Sequence, residues 1–373
     1  MRLKTVCKGL LVVVLLACNM VASPSRLFGQ NESVPLNNDI EPVILRPKKI
    51  GVFVTGKGGK PVEGVSAKQW RIVEKVPRQN DPKKKDEVAQ KVYSAFSGET
   101  PLCFVLAIDK SGSVFWNAAR ARDMKRVIKN FIAAAVRPGK DCALILPFGD
   151  IVENHRPFSG DVQWLQAEVD GITGGNSTPL LDVILTALDR VEAEEERFAE
   201  PRRFAIILLT DGQDVSPCAL KGGDVDVASY RRKRAQVESR LGDSGIPLYA
   251  LYPNEVQNTH APLMQCGNAP GLQVTADGAL DWLKKYATQS GGTFMDYLNP
   301  RQQEKAFTRI AEELRVMHWL VFYPTERVGN ESTRQIKVEA VIDQGADRPP
   351  NKRYKRDGRY AVRAPKAITF SSK

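Results

Sequence analysis

Apolar runs of strand length and apolar stripes at helical spacing alternate through the middle of this 373-residue chain. Leu102 to Ile108 is an unbroken apolar run, the pattern of a strand covered on both faces of a parallel sheet. Behind it, Met124, Val127, Ile128, Phe131, Ile132 and Ala135 recur at helical spacing, and Pro138-Gly139 ends that helix. Cys142 to Phe148 predicts the next buried strand, and Ile151–Pro157 a short one after it. Helices follow over Val162–Val169 and Leu180–Arg197, a strand over Phe204–Leu209, and a charged helix over Ala228–Leu241. Ile246–Tyr252 and Thr293–Tyr297 complete the strands, with a helix at Leu280–Thr288 between them. Strands alternating with helices imply an α/β fold, a doubly wound and mainly parallel sheet with right-handed crossovers.

On either side of residues 101–300 the pattern changes to short strands. Gly51–Thr55 and Gln69–Val73 alternate on the N-terminal side, and the charged stretch from Pro77 to Lys85, with two prolines, reads as a loop. Past a helix at Gln302–Val316, His318–Tyr323, Gln335–Ile342 and Tyr360–Arg363 are further strands. The β-rich lead-in (41–100) and the tail (301–373) can therefore pair into one small flanking β domain. Residues 23–40 carry no period and read as a linker.

The first 22 residues have the plan of a signal peptide. Arg2, Lys4 and Lys8 precede the apolar run Gly9–Ala17, and Ala22 and Ser23 offer a small-residue cleavage site. The run falls short of the roughly 20 residues that span a bilayer. Leu15-Leu16-Ala17-Cys18 also fits a lipobox, with Cys18 lipidated; plain cleavage near Ala22 is the alternative. Either places the mature chain outside the cytoplasm: secreted, periplasmic or anchored to the envelope. Of the remaining cysteines, Cys103 and Cys142 open buried strands, where free cysteine behaves as a small hydrophobe. Cys218 and Cys266 lie in polar loops, where an oxidising compartment favours joining them. The net charge of +11, concentrated in Lys48–Lys85 and Arg301–Lys373, comes with no nucleic-acid module and reads as a solvated basic surface.

The distinctive polar residues cluster just past strand ends, the edge where open α/β sheets bind ligands. Asp109, Ser111 and Ser113 follow the first buried strand, Thr178 follows the loop Thr173–Ser177, and Asp211 stands within Thr210-Asp211-Gly212 after the Phe204–Leu209 strand. Two carboxylates and three hydroxyls make an all-oxygen donor set suited to a hard cation, Mg²⁺ above all, with Mn²⁺ or Ca²⁺ also possible. Asp109 does not open an EF-hand loop, since Val114 stands where glycine is needed and Arg120 where glutamate is needed.

Together these residues resemble the metal-ion-dependent adhesion site of von Willebrand factor type A (VWA) domains: a DxSxS turn (Asp109, Ser111, Ser113), a separate threonine (Thr178) and a later aspartate in a TDG-like turn (Asp211). The resemblance implies that the hydroxyls touch the metal directly and the aspartates act largely through water. It also implies that an Asp or Glu from a partner protein fills the last coordination position. The likeness to the VWA domain covers roughly Leu102 to Tyr297. The flanks, including Gly59-Lys60-Pro61-Val62 and Trp319–Pro324, look like those of a group of exported bacterial proteins, often acidobacterial. Departures are Lys110, which puts a cation beside the site, and His318, which stands where an aromatic hydroxyl often appears.

Three function classes follow. The first is an extracytoplasmic module that captures an acidic partner side chain through the cation. The second is an assembly component of a cell-envelope complex in which the metal only stabilises the loops. The third, an enzyme, lacks support: His155, His260 and His318 sit in no metalloprotease or nucleophile-elbow setting, and there is no P-loop. Phe115 and Trp116 read as packing at a helix start.

Overall fold

The computed structural model describes residues 47–56, 60–115, 118–154, 156–175, 177–212, 227–253, 276–326, 333–341 and 360–369. The signal-peptide, lipobox and linker assignments, the Cys218–Cys266 pairing, His155 and His260 fall outside them.

The chain opens with β1 (Lys48–Thr55), a 3-10 turn at Ala67–Gln69, β2 (Trp70–Arg78), β3 (Asp81–Gln90) and β4 (Val92–Phe96). The α/β layer then runs through β5 (Leu102–Asp109), α1 (Gly112–Phe115), α2 (Ala118–Ala135), β6 (Cys142–Phe148), α3 (Val162–Asp170), α4 (Leu180–Arg197) and β7 (Arg203–Leu209). It continues through α5 (Val227–Ser244), β8 (Leu248–Pro253), α6 (Ala276–Gln289) and β9 (Phe294–Tyr297). The last described elements are α7 (Pro300–Val316), β10 (His318–Phe322), β11 (Thr333–Ala340), β12 (Ala361–Arg363) and β13 (Ala367–Thr369).

The central sheet is parallel, in the order β6-β5-β7-β8-β9. Every residue of β5, β6, β7 and β8 is buried, as unbroken apolar runs require when helices cover both faces. The expected doubly wound sheet is therefore present. Because β6 lies on one side of β5 and β7 on the other, the winding order of the strands reverses at β5, the point where parallel sheets of this kind open a crevice at the carboxyl ends of their strands. The strand expected at Ile151–Pro157 is instead a loop, closed by a single bridge between Phe148 and Val152. The chain there turns back on the end of β6 too briefly to form a ladder, with Val152 packed on the core and Ile151 exposed.

The N- and C-terminal strands pair with one another across the chain. β1 lies between β10 and β12, with β4 beyond β10, and β2 lies between β11 and β3, all antiparallel. Ile50, Val52, Val54, Trp70, Ile72, Leu320 and Phe322 share a core with Ile336 and Ile368 from the tail. The loop expected from Pro77 to Lys85 is a hairpin instead: Pro77 pairs with Lys85 beside a register shift at Pro77/Arg78. A proline without an amide hydrogen is tolerated at such an irregularity. β3 is an edge strand, and its run of exposed charges from Lys83 to Glu87 opposes unwanted edge pairing.

Three contacts join segments distant in the chain. Cys103 and Cys142, register partners on β5 and β6, form a disulfide, so they are not free hydrophobes. That pairing depended on which strands are neighbours, which their 39-residue separation does not reveal. Arg203, fully buried at the start of β7, donates to the carbonyls of Thr100, Leu314 and Met317 at 3.1, 2.7 and 3.1 Å. The guanidinium thereby caps α7, whose carbonyl end favours a cation. Glu74 on β2 and Arg334 on β11, both fully buried, pair at 2.7 Å, and Glu74 also accepts the Thr325 amide. At Gly245, with φ of 63°, an added Cβ would stand 1.8 Å from the Lys49 carbonyl oxygen, so only glycine lets β1 approach this turn.

Candidate metal centre

β5 ends on Asp109, and the chain must turn at once to enter α1. Asp109 Oδ1 accepts the Ser111 amide at 2.9 Å, closing that turn on the side chain. Asp109 Oδ2 accepts the Thr210 hydroxyl at 2.7 Å, linking the ends of β5 and β7. The Thr210 hydroxyl oxygen accepts the Gly212 amide at 3.1 Å, and Gly212 has φ of 76°, which lets the chain bend sharply after Asp211. Asp109, Ser111, Thr210 and Asp211 are all buried.

Thr178 lies in a third segment, whose loop meets the Asp109 turn at Gly175. Ser111 bridges Gly175, whose amide donates to the Lys110 carbonyl at 2.7 Å, and Thr178 is buried three residues further on, just before α4. Ser113 lies within α1; its side chain is outside the described residues.

The electrostatics are unfavourable without a counter-charge. Burial, with the neighbouring negative charge of Asp211, pushes the Asp109 carboxyl up to about 7; bonds from Thr210 and Ser111 oppose that rise only in part. Among the described residues no group of three or more His, Cys, Asp and Glu gathers as a metal cluster. The donors here are two carboxylates and neighbouring hydroxyls, an all-oxygen set that matches a hard cation and leaves places for other ligands. A cation between the two aspartates would also relieve their repulsion.

Lys110 does not supply that charge. Its ammonium turns away to an ion pair with Glu153, and its stem packs over Gly149 and Gly175, where added Cβ atoms would come within 2.9 and 3.4 Å of Lys110 Cε. Burial alone would raise the Glu153 carboxyl, but bonds from Lys110 and Arg156 outweigh it and hold the carboxyl below its ordinary value. His318 is remote from this edge: buried in β10, it accepts the Val65 amide on Nε2 at 3.3 Å and meets Trp70 edge-on. Phe115 is half-buried and packs on the main core, while Trp116 is outside the described residues. Sequence reasoning missed Thr210 as the residue bonded to Asp109. The signal was a hydroxyl directly before Asp211 at the end of an adjacent strand.

No protein-family model matches the chain, and no curated protein matches it. Among solved structures, it is similar to the vWF domain of the type V pili tip protein Mfa5 from Porphyromonas gingivalis, at 13% identity and a TM-score of 0.40, over 57% of this chain and 95% of that one. The PilB minor pilin from Streptococcus sanguinis is similar at 12% identity and a TM-score of 0.42, over 73% of this chain and 79% of that one. An aerotolerance-related membrane protein from Bacteroides fragilis is similar at 16% identity and a TM-score of 0.34, over 57% of this chain and 98% of that one. Likeness at such identities reaches the fold alone. Among the described residues no helix is long and apolar enough to cross a membrane.

Proposed function

We propose that this chain is an extracytoplasmic protein-binding module that holds a divalent cation, Mg²⁺ foremost, at Asp109, Ser111, Ser113, Thr178 and Asp211, and uses it to capture an acidic side chain of a partner. The observation that carries this reading is the burial of Asp109 within the field of Asp211 at the sheet's reversal point, with the nearby Lys110 committed to Glu153. Two buried carboxylates in each other's field are costly unless a cation balances them. Two carboxylates and the neighbouring hydroxyls would leave coordination places of a hard dication unfilled, where a third carboxylate can bind. The bound ion supplies Lewis-acid attraction for that group; the chain's own residues hold and orient it.

Export is supported by the signal-like N-terminus and by the buried Cys103–Cys142 disulfide, a bond that persists in oxidising compartments. Calorimetric titration of the full chain with MgCl₂ tests the reading. One-site binding in the wild type, lost in Asp109→Ala and Asp211→Ala, is expected. Absence of saturable heat from Mg²⁺, Mn²⁺ and Ca²⁺ alike refutes it. If the metal binds but chelator leaves partner capture intact while lowering the melting temperature, the assembly role replaces the adhesive one.

A further inference from the structure

Ile151 is 67% exposed, more than any other large hydrophobic side chain among the described residues, and its loop abuts the Gly175 loop of the proposed metal centre. Its loop follows β6 at the carboxyl edge of the sheet. The backbone there abuts the second loop of the site: a Cβ on Gly175 would lie 3.4 Å from Gly149 Cα and 3.6 Å from the Asp150 amide nitrogen.

An exposed isoleucine on a loose loop would mean little. This loop is firmly held. The Gly149 amide donates to the Ile151 carbonyl at 3.0 Å, and the Glu153 amide donates to the Pro147 carbonyl at 2.9 Å. Glu153 pairs with both Lys110 and Arg156, Arg156 also pairs with Glu168, and Arg190 donates to Asn154 Oδ1 and to the Arg156 carbonyl at 2.9 and 2.8 Å. Lys110 belongs to the first turn of the site itself, so the mount of Ile151 and the site are one framework. Among the described residues here, Lys110, Arg156 and Arg190 are each engaged with acidic or carbonyl partners. Water-exposed apolar surface held rigid beside a carboxylate-seeking centre favours an apolar neighbour.

We infer that the partner is a protein segment in which the captured Asp or Glu is adjacent to a large apolar residue, and that this residue packs on Ile151. The inference rests on the proposed metal reading and narrows its partner class. It is tested with the full chain on immobilised glycine-serine peptides that carry one central Asp and one varied neighbour, in MgCl₂ or EDTA. Wild type is expected to bind peptides with Leu, Ile or Phe beside Asp about tenfold better than those with Ser, the size of effect that burying part of such a side chain produces. In Ile151→Ser that ratio falls towards one, with Mg²⁺ affinity by calorimetry unchanged. The inference is overturned if the apolar preference survives Ile151→Ser, or if wild type captures Asp peptides in a Mg²⁺-dependent way with no such preference. Capture indifferent to both EDTA and Asp109→Ala instead removes the metal reading, and the inference with it.

Discussion

Removing the Cys103–Cys142 disulfide should cost about 4 kcal/mol, the loop-closure value for its 39-residue separation. The closed loop contains most of β5, the Asp109–Ser113 turn and all of α2, so the crosslink restricts the unfolded chain from β5 to the start of β6. In the folded state little should change, since Cys103 and Cys142 stay in register through the β5–β6 ladder. Replacing both residues by Ala keeps the sites small and apolar and isolates the effect on the unfolded chain. With a urea dependence of about 3 kcal/mol/M, the midpoint should fall by more than about 1 M. Urea unfolding followed by tryptophan fluorescence reads this directly. Wild type in dithiothreitol, denatured and then reduced, should match the double variant, and thiol titration of the native oxidised chain should find neither cysteine reactive. A midpoint shift below about 0.3 M, or no difference between oxidised and reduced chains, would refute the reasoning.

Further outcomes follow from the same structure. Asp109 keeps its proton to about pH 7 when folded but loses it near 3.8 when unfolded. Metal-free stability should therefore fall as pH rises between those values, by up to about 4 kcal/mol, and level off above; saturating Mg²⁺ or Asp109→Asn should flatten that slope in a pH series of urea melts. Burial, with Arg203 nearby, holds the His318 imidazole down at about 4, so the unfolded chain takes up a proton from about pH 6.5 downward that the folded chain refuses. In saturating Mg²⁺, which removes the opposite slope of Asp109, stability should fall through that acid window, less steeply in His318→Gln, as acid unfolding curves would reveal. Arg203→Met should cost roughly 3 kcal/mol or more by leaving the carbonyls of Thr100, Leu314 and Met317 unpaired, and Arg203→Lys should not restore the melting temperature, because one ammonium cannot span acceptors a guanidinium fork reaches.

Much of the α/β layer was legible because burial on both faces writes itself as unbroken apolar runs. Leu102–Ile108 and Phe204–Leu209 gave β5 and β7 almost to the residue. The position of the polar residues was legible for a related reason: each buried apolar run stops abruptly, at Asp109 and at Thr210-Asp211. What failed were features with no local signature. β3, Asp81–Gln90, is an exposed edge strand whose charges look like those of a loop. β4 and β13 are short, and their pairing partners lie far away in the chain. The Cys103–Cys142 bond and the Thr210–Asp109 hydrogen bond both depend on β5's two neighbours, which sequence order does not declare. Lys110 read as a cation beside the site; its pairing with Glu153, 43 residues away, had no local sign.

The central claim is that one divalent ion sits between Asp109 and Asp211 with a coordination place open to a partner. Diffraction from crystals soaked in MnCl₂, collected near the manganese absorption edge, addresses it most directly. A single strong anomalous peak enclosed by Asp109, Ser111, Thr178 and Asp211, absent from Asp109→Ala crystals, is the predicted result. A site without anomalous density at saturating Mn²⁺, or a peak bound elsewhere on the molecule, would contradict it.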